Sequence, residues 1–264
     1  KLLRNTSHFV MVTAETSREI VMGAREYHPD SYIIKPITQA VLQKRMDALI
    51  EMRQALYPIN RALDEEDTGE AIRLSEEMLQ TRTRYRNQVM QLLGDLYLQG
   101  DHTGKARVIY NDALGRRELA WARMGIGKAA MAEGNLDEAI EHFQILIDNN
   151  PDYIEAYDQL ADAYQQKDQH QKAQKTVEDA LEVSPLAILR QRQLAHIASA
   201  NQDMETATEA WRSTVNLSDN SIHDDPQNYL GLSRALSELC DGDTSSEGKH
   251  LAEEALNTLN AMGK

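Results

Sequence analysis

The chain has 264 residues, 41% of them hydrophobic and 27% charged, an ordinary globular mixture long enough for one large or two small domains. Its formal net charge of −14 leaves no clustered Lys and Arg of the kind phosphate binding needs, which excludes nucleic acid and anionic membrane surfaces as main partners. No apolar run approaches the roughly 18 residues that span a bilayer, no signal-peptide pattern opens the chain, and its one cysteine, Cys240, cannot close an internal disulfide, in keeping with a reducing cytoplasm.

The chain opens at Lys1 in the middle of structured sequence, so it reads as a piece of a longer protein. His8 to Ala14 is a short β-branched and apolar run, which predicts a buried strand. Thr16 to Tyr27 has helical spacing through Ile20, Val21 and Ala24. Tyr32-Ile33-Ile34 predicts a second strand, closed by Lys35-Pro36. Thr38 then caps a long helix with Val41, Leu42, Met46, Leu49 and Ile50 on one side, running toward the first repeat with a kink near Pro58. Strand, helix, strand, helix is the order that favours a parallel sheet.

From about residue 52 a repeat takes over. Pro151 and Pro185 lie 34 residues apart. Counted from Ile154, the residues Tyr157, Leu160, Ala161, Tyr164, Ala173, Val177, Ala180 and Pro185 fall at positions 4, 7, 8, 11, 20, 24, 27 and 32. The preceding unit, from Ala120, has Gly127, Ala139, Phe143 and Pro151 at positions 8, 20, 24 and 32, and the following one, from Ile188, has Ala195, Ala207 and Trp211 at 8, 20 and 24. Weaker units start near 52, 86 and 222; the one at 86 slips by one residue, and the last has an enlarged turn at Asp241 to Gly248 before a final helix around Leu251, Ala255 and Leu259. Small residues at 8 and 20 let two helices approach closely, and large ones at 4, 7, 11 and 24 fill the space between. Gly or polar residues near 15 turn the chain, and proline at 32 stops the second helix.

This periodicity resembles the tetratricopeptide repeat family over roughly residues 52 to 262. The first fifty residues resemble the second half of a response-regulator receiver domain, through Met11-Val12-Thr13-Ala14-Glu15 and Tyr32-Ile33-Ile34-Lys35-Pro36. The expected fold is therefore mainly α: a tetratricopeptide helical solenoid over 52–264, preceded by a partial α/β, flavodoxin-like receiver segment over 1–51. The receiver resemblance implies that Thr13 and Lys35 contact a phosphoryl group, that Tyr32 is the aromatic that moves on activation, and that the Lys35–Pro36 peptide is cis. It also implies Mg²⁺ in an intact receiver, but the acidic ligands and the phosphate-accepting Asp lie on earlier strands absent from this sequence. The chain itself is expected to need no cofactor and to hold no metal. A half-receiver has an unpaired strand edge, so the edge is expected to be covered, with a second copy of the chain as the candidate.

The tetratricopeptide resemblance implies that the first helix of each unit lines a concave groove, mainly through positions 2, 5, 9, 12 and 13. Here these give Trp121, Met124, Lys128 and Met131, then Glu155, Asp158, Asp162 and Gln165, then Arg192 and His196. The series runs from apolar to acidic to mixed, which suits an adaptable hydrophobic contact followed by a basic segment of a partner protein. Other chemical signals are faint. Gly100 to Lys105 is one residue short of a phosphate loop and follows a helix; Gly125-Ile-Gly127 lies inside a helix; the eight histidines show no metal spacing. The leading expectation is a non-enzymatic cytoplasmic two-component response regulator, acting downstream of a histidine kinase, whose array is a protein-binding output module. The alternative is a tetratricopeptide scaffold or adaptor with a non-signalling receiver remnant.

Overall fold

The computed structural model describes residues 4–25, 27–81 and 83–261. Among them are two strands and fourteen helices. Strands β1 (Val10–Thr13) and β2 (Ser31–Ile34) pair in parallel, with Val10 opposite Ser31 and Thr13 opposite Ile34, joined through helix α1 (Arg18–Arg25). Ile33 of β2 and Met22 and Ala24 of α1 are the buried apolar residues of this segment. Two strands with so little covered surface are marginal alone, and polar contacts anchor the segment to the helices after it. The Asp64 carboxylate accepts four hydrogen bonds, from the backbone N–H and side chain of both Asn5 and Thr6, at 2.5 to 3.1 Å. Arg53 donates to the Asn5 carbonyl and to Asp30, and Asp30 also accepts from the Phe9 N–H.

Thr38 caps helix α2 (Gln39–Ala55) by accepting from the Val41 N–H, as its sequence predicts. Its apolar side stays open: none of its residues is buried, and Val41, Leu42 and Ile50 are exposed. The next helix, α3 (Tyr57–Asp64), starts directly after it with Pro58 in its first turn, where a missing N–H costs nothing. The expected kink is therefore a break at Leu56.

From there helices come in pairs: α3 with α4 (Thr68–Gln80), α5 (Arg86–Gln99) with α6 (Thr103–Arg116), α7 (Ala120–Ala132) with α8 (Leu136–Asn149), α9 (Ile154–Gln166) with α10 (His170–Val183), α11 (Ile188–Ala200) with α12 (Met204–Ser218), and α13 (Pro226–Leu239) with α14 (Ser246–Ala261). The first helices begin at 86, 120, 154 and 188, at the predicted interval of 34 residues. Glu66, Asp101, Gly134, Asp168 and Gln202 hold the turns inside five pairs in left-handed conformation, with φ between 56° and 76°. In each turn the next residue's N–H reaches back to a helix carbonyl: Asp67 to Ala62, His102 to Tyr97, Asn135 to Ala130, Gln169 to Tyr164 and Asp203 to Ala198, at 2.7 to 2.9 Å. This is the Schellman closure. The same residue is the N-cap of the second helix, and Asp67 and Asp203 use their carboxylates for it. One residue thus ends one helix and starts the next, which fixes the turn length.

The chain falls into two compact units, residues 1–156 and 157–264. In the first, two buried clusters run in sequence, one around Leu56, Ile59, Ala62, Ala71, Val89 and Leu96, the other around Met90, Leu93, Tyr97, Ala106, Tyr110, Ala122 and Ile126. Glycines set the spacing. A Cβ on Gly94 or Gly125 would enter the ring of Tyr110, and one on Gly127 the ring of Phe143. In the second unit a single cluster spans Ala161, Val177, Leu194, Ala195, Ala198, Ala207, Trp211, Leu232 and Ala255, and Gly231 lies against Trp211 as Gly125 lies against Tyr110. The unit expected from Ile222 begins four residues late, at Pro226. The connection before it is lengthened, and Asn228, fully buried, secures it by donating to the His223 carbonyl and the Ser218 hydroxyl.

Candidate functional site

The residues that the repeat register marks as groove positions differ in burial and in their partners. In the first compact unit α7 carries Trp121, Lys128 and Met131, all half-buried, while Met124 is 3% exposed and adds no surface. Trp121 is held edge-on by Tyr110, with ring centroids 6.2 Å apart. The Tyr110 hydroxyl donates to Asp95 at 2.8 Å. Burial pushes the Asp95 carboxyl above its ordinary range, only partly offset by that hydrogen bond and the charge of Lys128. Tyr153, at the entry to α9, has its phenol pushed up to about 12, first by burial and then by Glu155 and Asp95. Glu155 is exposed, with its carboxylate 3.7 Å from the His28 ring. Tyr110 thus links Trp121, through ring contact, to a carboxyl raised by burial.

The second unit carries the other expected residues. Asp158 is not free: it takes both Nε and Nη2 of Arg190 at 2.8 Å, and Arg190 is 4% exposed. This pair is a packing device joining α9 to α11. Asp162 is half-buried, and burial followed by the neighbouring Asp158 raises its carboxyl. Gln165 and Arg192 are half-buried. His196 is exposed with its ring edge-on to Trp211 at 4.8 Å, and its imidazole is lowered by burial and by Arg192.

Asp95, Tyr153 and Arg190 carry no mark in the repeat pattern. Asp95 sits one residue beyond the strict 34-residue equivalent of Lys128, so the slippage of its unit hides it. Arg190 falls at position 3 of its unit, outside the expected groove positions; its four-residue relation to Leu194 of the core is the signal that it faces inward.

The α/β segment has its own geometry. The Lys35 N–H donates to the Thr13 carbonyl at 2.7 Å, so Thr13 and Lys35 end neighbouring parallel strands. The Lys35–Pro36 peptide is cis. The Thr13 hydroxyl accepts from the Glu15 N–H, and the Tyr32 hydroxyl is buried with no partner among the described residues. These residues do not make a divalent-cation site. The Glu15 carboxylate is taken by the Thr16 and Ser17 N–H groups, which hold its pKa low, and no group of three His, Cys, Asp or Glu among the described residues could hold a metal. No described helix is long and apolar enough to cross a membrane.

Comparison with known proteins agrees with this geometry where it is helical. The tetratricopeptide repeat family matches residues 118–185, the two pairs with the cleanest spacing. No curated protein matches. Among solved structures, a tetratricopeptide repeat protein from Parabacteroides merdae superposes with a TM-score of 0.54 at 14% identity, over 80% of this chain and 93% of that one. MamA residues 41 to the end from Desulfovibrio magneticus superposes with a TM-score of 0.53 at 18% identity, over 62% and 93%. At these identities the likeness is one of fold. The chain is mainly helical, and its repeated pairs have the tetratricopeptide architecture.

Proposed function

We propose that this chain is a non-catalytic, cytoplasmic scaffold that binds a segment of another protein along the first helices of its repeats. Trp121 carries the reading. It is a large aromatic left half-exposed on α7, held in place by Tyr110, which donates to Asp95, and Met131 lies on the same helix. Rigid aromatic anchors beside adaptable methionines are what hot spots are made of. An apolar partner segment suits Trp121 and Met131 in the first unit, and, taken by itself, a basic one suits Asp162 in the second. Affinity capture from the native host tests this. Trp121→Ala and Asp162→Lys each lose a protein that the wild-type chain retains, whereas Leu256→Ala on α14 loses neither. Equal recovery by all four chains would refute the reading.

A second reading makes the longer protein a two-component response regulator, phosphorylated by a histidine kinase, with residues 52–264 as its output module and residues 1–51 as the end of its receiver. The parallel strand–helix–strand unit and the adjacency of Thr13 and Lys35 favour it. It requires an aspartate at a strand end upstream of Lys1, and phosphorylation of the full-length protein by a small phosphodonor such as acetyl phosphate tests it.

A further inference from the structure

The acidic edge at the entry to α9 already carries a cation. Asp152 and Glu155 flank Tyr153 there. Arg18, the first residue of α1, places Nη2 2.5 Å from Asp152, although 134 residues separate them. His28, in the turn after α1, has Nε2 3.7 Å from Glu155. Arg18 at the start of α1 and His28, three residues past its end, thus face Asp152 and Glu155, and both contacts lie within one compact unit. Glu155 is also one of the residues assigned to the groove from the repeat register.

We propose that α1 is an internal competitor for this edge: Arg18 and His28 occupy the place of basic side chains from a partner segment, which must displace α1 to bind. This rests on the groove reading above and adds to it both a partner chemistry, Arg or Lys at the Asp152–Glu155 edge, and a regulatory step. The contact is weak enough to be displaced. Arg18 and Asp152 are 65% and 54% exposed, and His28 and Glu155 72% and 48%. An ion pair as open as Arg18–Asp152 contributes little and is screened by salt, and the 3.7 Å His28–Glu155 contact is charged only when the imidazole is protonated. On α1 itself only Met22 and Ala24 are buried, while Ile20 stays 43% exposed.

The test uses the whole chain and, as probe, a fluorescent synthetic peptide with this chain's own sequence from Thr16 to Tyr32. In Arg18→Glu/His28→Glu the edge is vacated, so the probe binds about three- to tenfold more tightly than to wild type, and amide exchange in residues 18–25 accelerates. Asp152→Lys/Glu155→Lys does not bind the probe. The fourfold charge swap brings exchange in residues 18–25 back toward the wild-type rate, which separates loss of docking from loss of folding. Probe affinity and exchange unchanged in Arg18→Glu/His28→Glu would overturn the proposal, as would probe binding that survives Asp152→Lys/Glu155→Lys. The groove reading fails separately, through Trp121→Ala.

Discussion

The α/β segment and the repeats are held by different physics. In the repeats, aromatic rings lock against glycines: Tyr110 on Gly94 and Gly125, Phe143 on Gly127, Trp211 on Gly231. Five of the six turns inside the pairs are closed by the same backbone bond. Neighbouring pairs reuse one local solution, so the pattern is close-packed and intolerant of added atoms. The α/β segment buries few apolar side chains and depends on carboxylates and guanidinium groups: Asp64 on Asn5 and Thr6, Arg53 on Asp30, Arg18 on Asp152. Periodic apolar clusters hold the repeats within each compact unit, while polar tethers hold the α/β segment. The division at about residue 51 between receiver-like segment and repeats is thus proposed as a functional boundary.

Substitutions separate the two regimes by size. Phe143→Ala should cost about 3–5 kcal/mol in denaturant unfolding, because the ring is fully buried and leaves a cavity between α7 and α8. Gly127→Ala should cost about 1–3 kcal/mol, since its Cβ would enter that same ring; combined with Phe143→Leu it should cost less than the sum of the two changes, and strict additivity would disprove the ring-on-glycine account. At the turns the sign reverses. Gln202 adopts φ 62°, where a side chain is strained, so Gln202→Gly should stabilise by about 1 kcal/mol, whereas Gly134→Ala, at φ 76°, should destabilise by a similar amount.

The smallest global effect belongs to the tethers. Burial alone would raise the Asp64 carboxyl, but the four hydrogen bonds from Asn5 and Thr6 outweigh it and hold it at about 2, below its ordinary 3.8. A depressed carboxyl stabilises above its unfolded pKa and loses that contribution as pH falls through the folded one. Acidification from about pH 4 to about pH 2 should therefore release residues 5–13 to amide exchange. Asp64→Ala should release them already at pH 7, with little change in the melting of the repeats. Loss of both together would mean that the α/β segment and the repeats are one cooperative body.

The repeats are legible in the sequence because their rules are local. A small residue at position 8, a large one at 24 and a Gly or polar turn residue near 15 each leave a mark at fixed spacing, and the helix starts at 86, 120, 154 and 188 agree with it. Pro226 is not legible as a start, because the lengthened connection is fixed by Asn228, a buried polar residue with no periodic signature. The strand–helix–strand order is readable from its apolar runs; what holds it is not, since Asp64 and Asp152 are distant in sequence. The groove is readable by register but not by occupancy. Register cannot tell that Met124 is covered, or that Asp158 is already paired with Arg190.

The most direct test places a photo-crosslinking amino acid at Lys128, on the first-helix face of α7, and in a second chain at Val108, which is 67% exposed on the second helix α6. Irradiation in the native host should join one specific protein to position 128 and none to position 108, through a crosslinked segment rich in apolar and basic residues. Crosslinking of that protein at 108 alone, or equally at both positions, would contradict the assignment of the first-helix face as the binding surface.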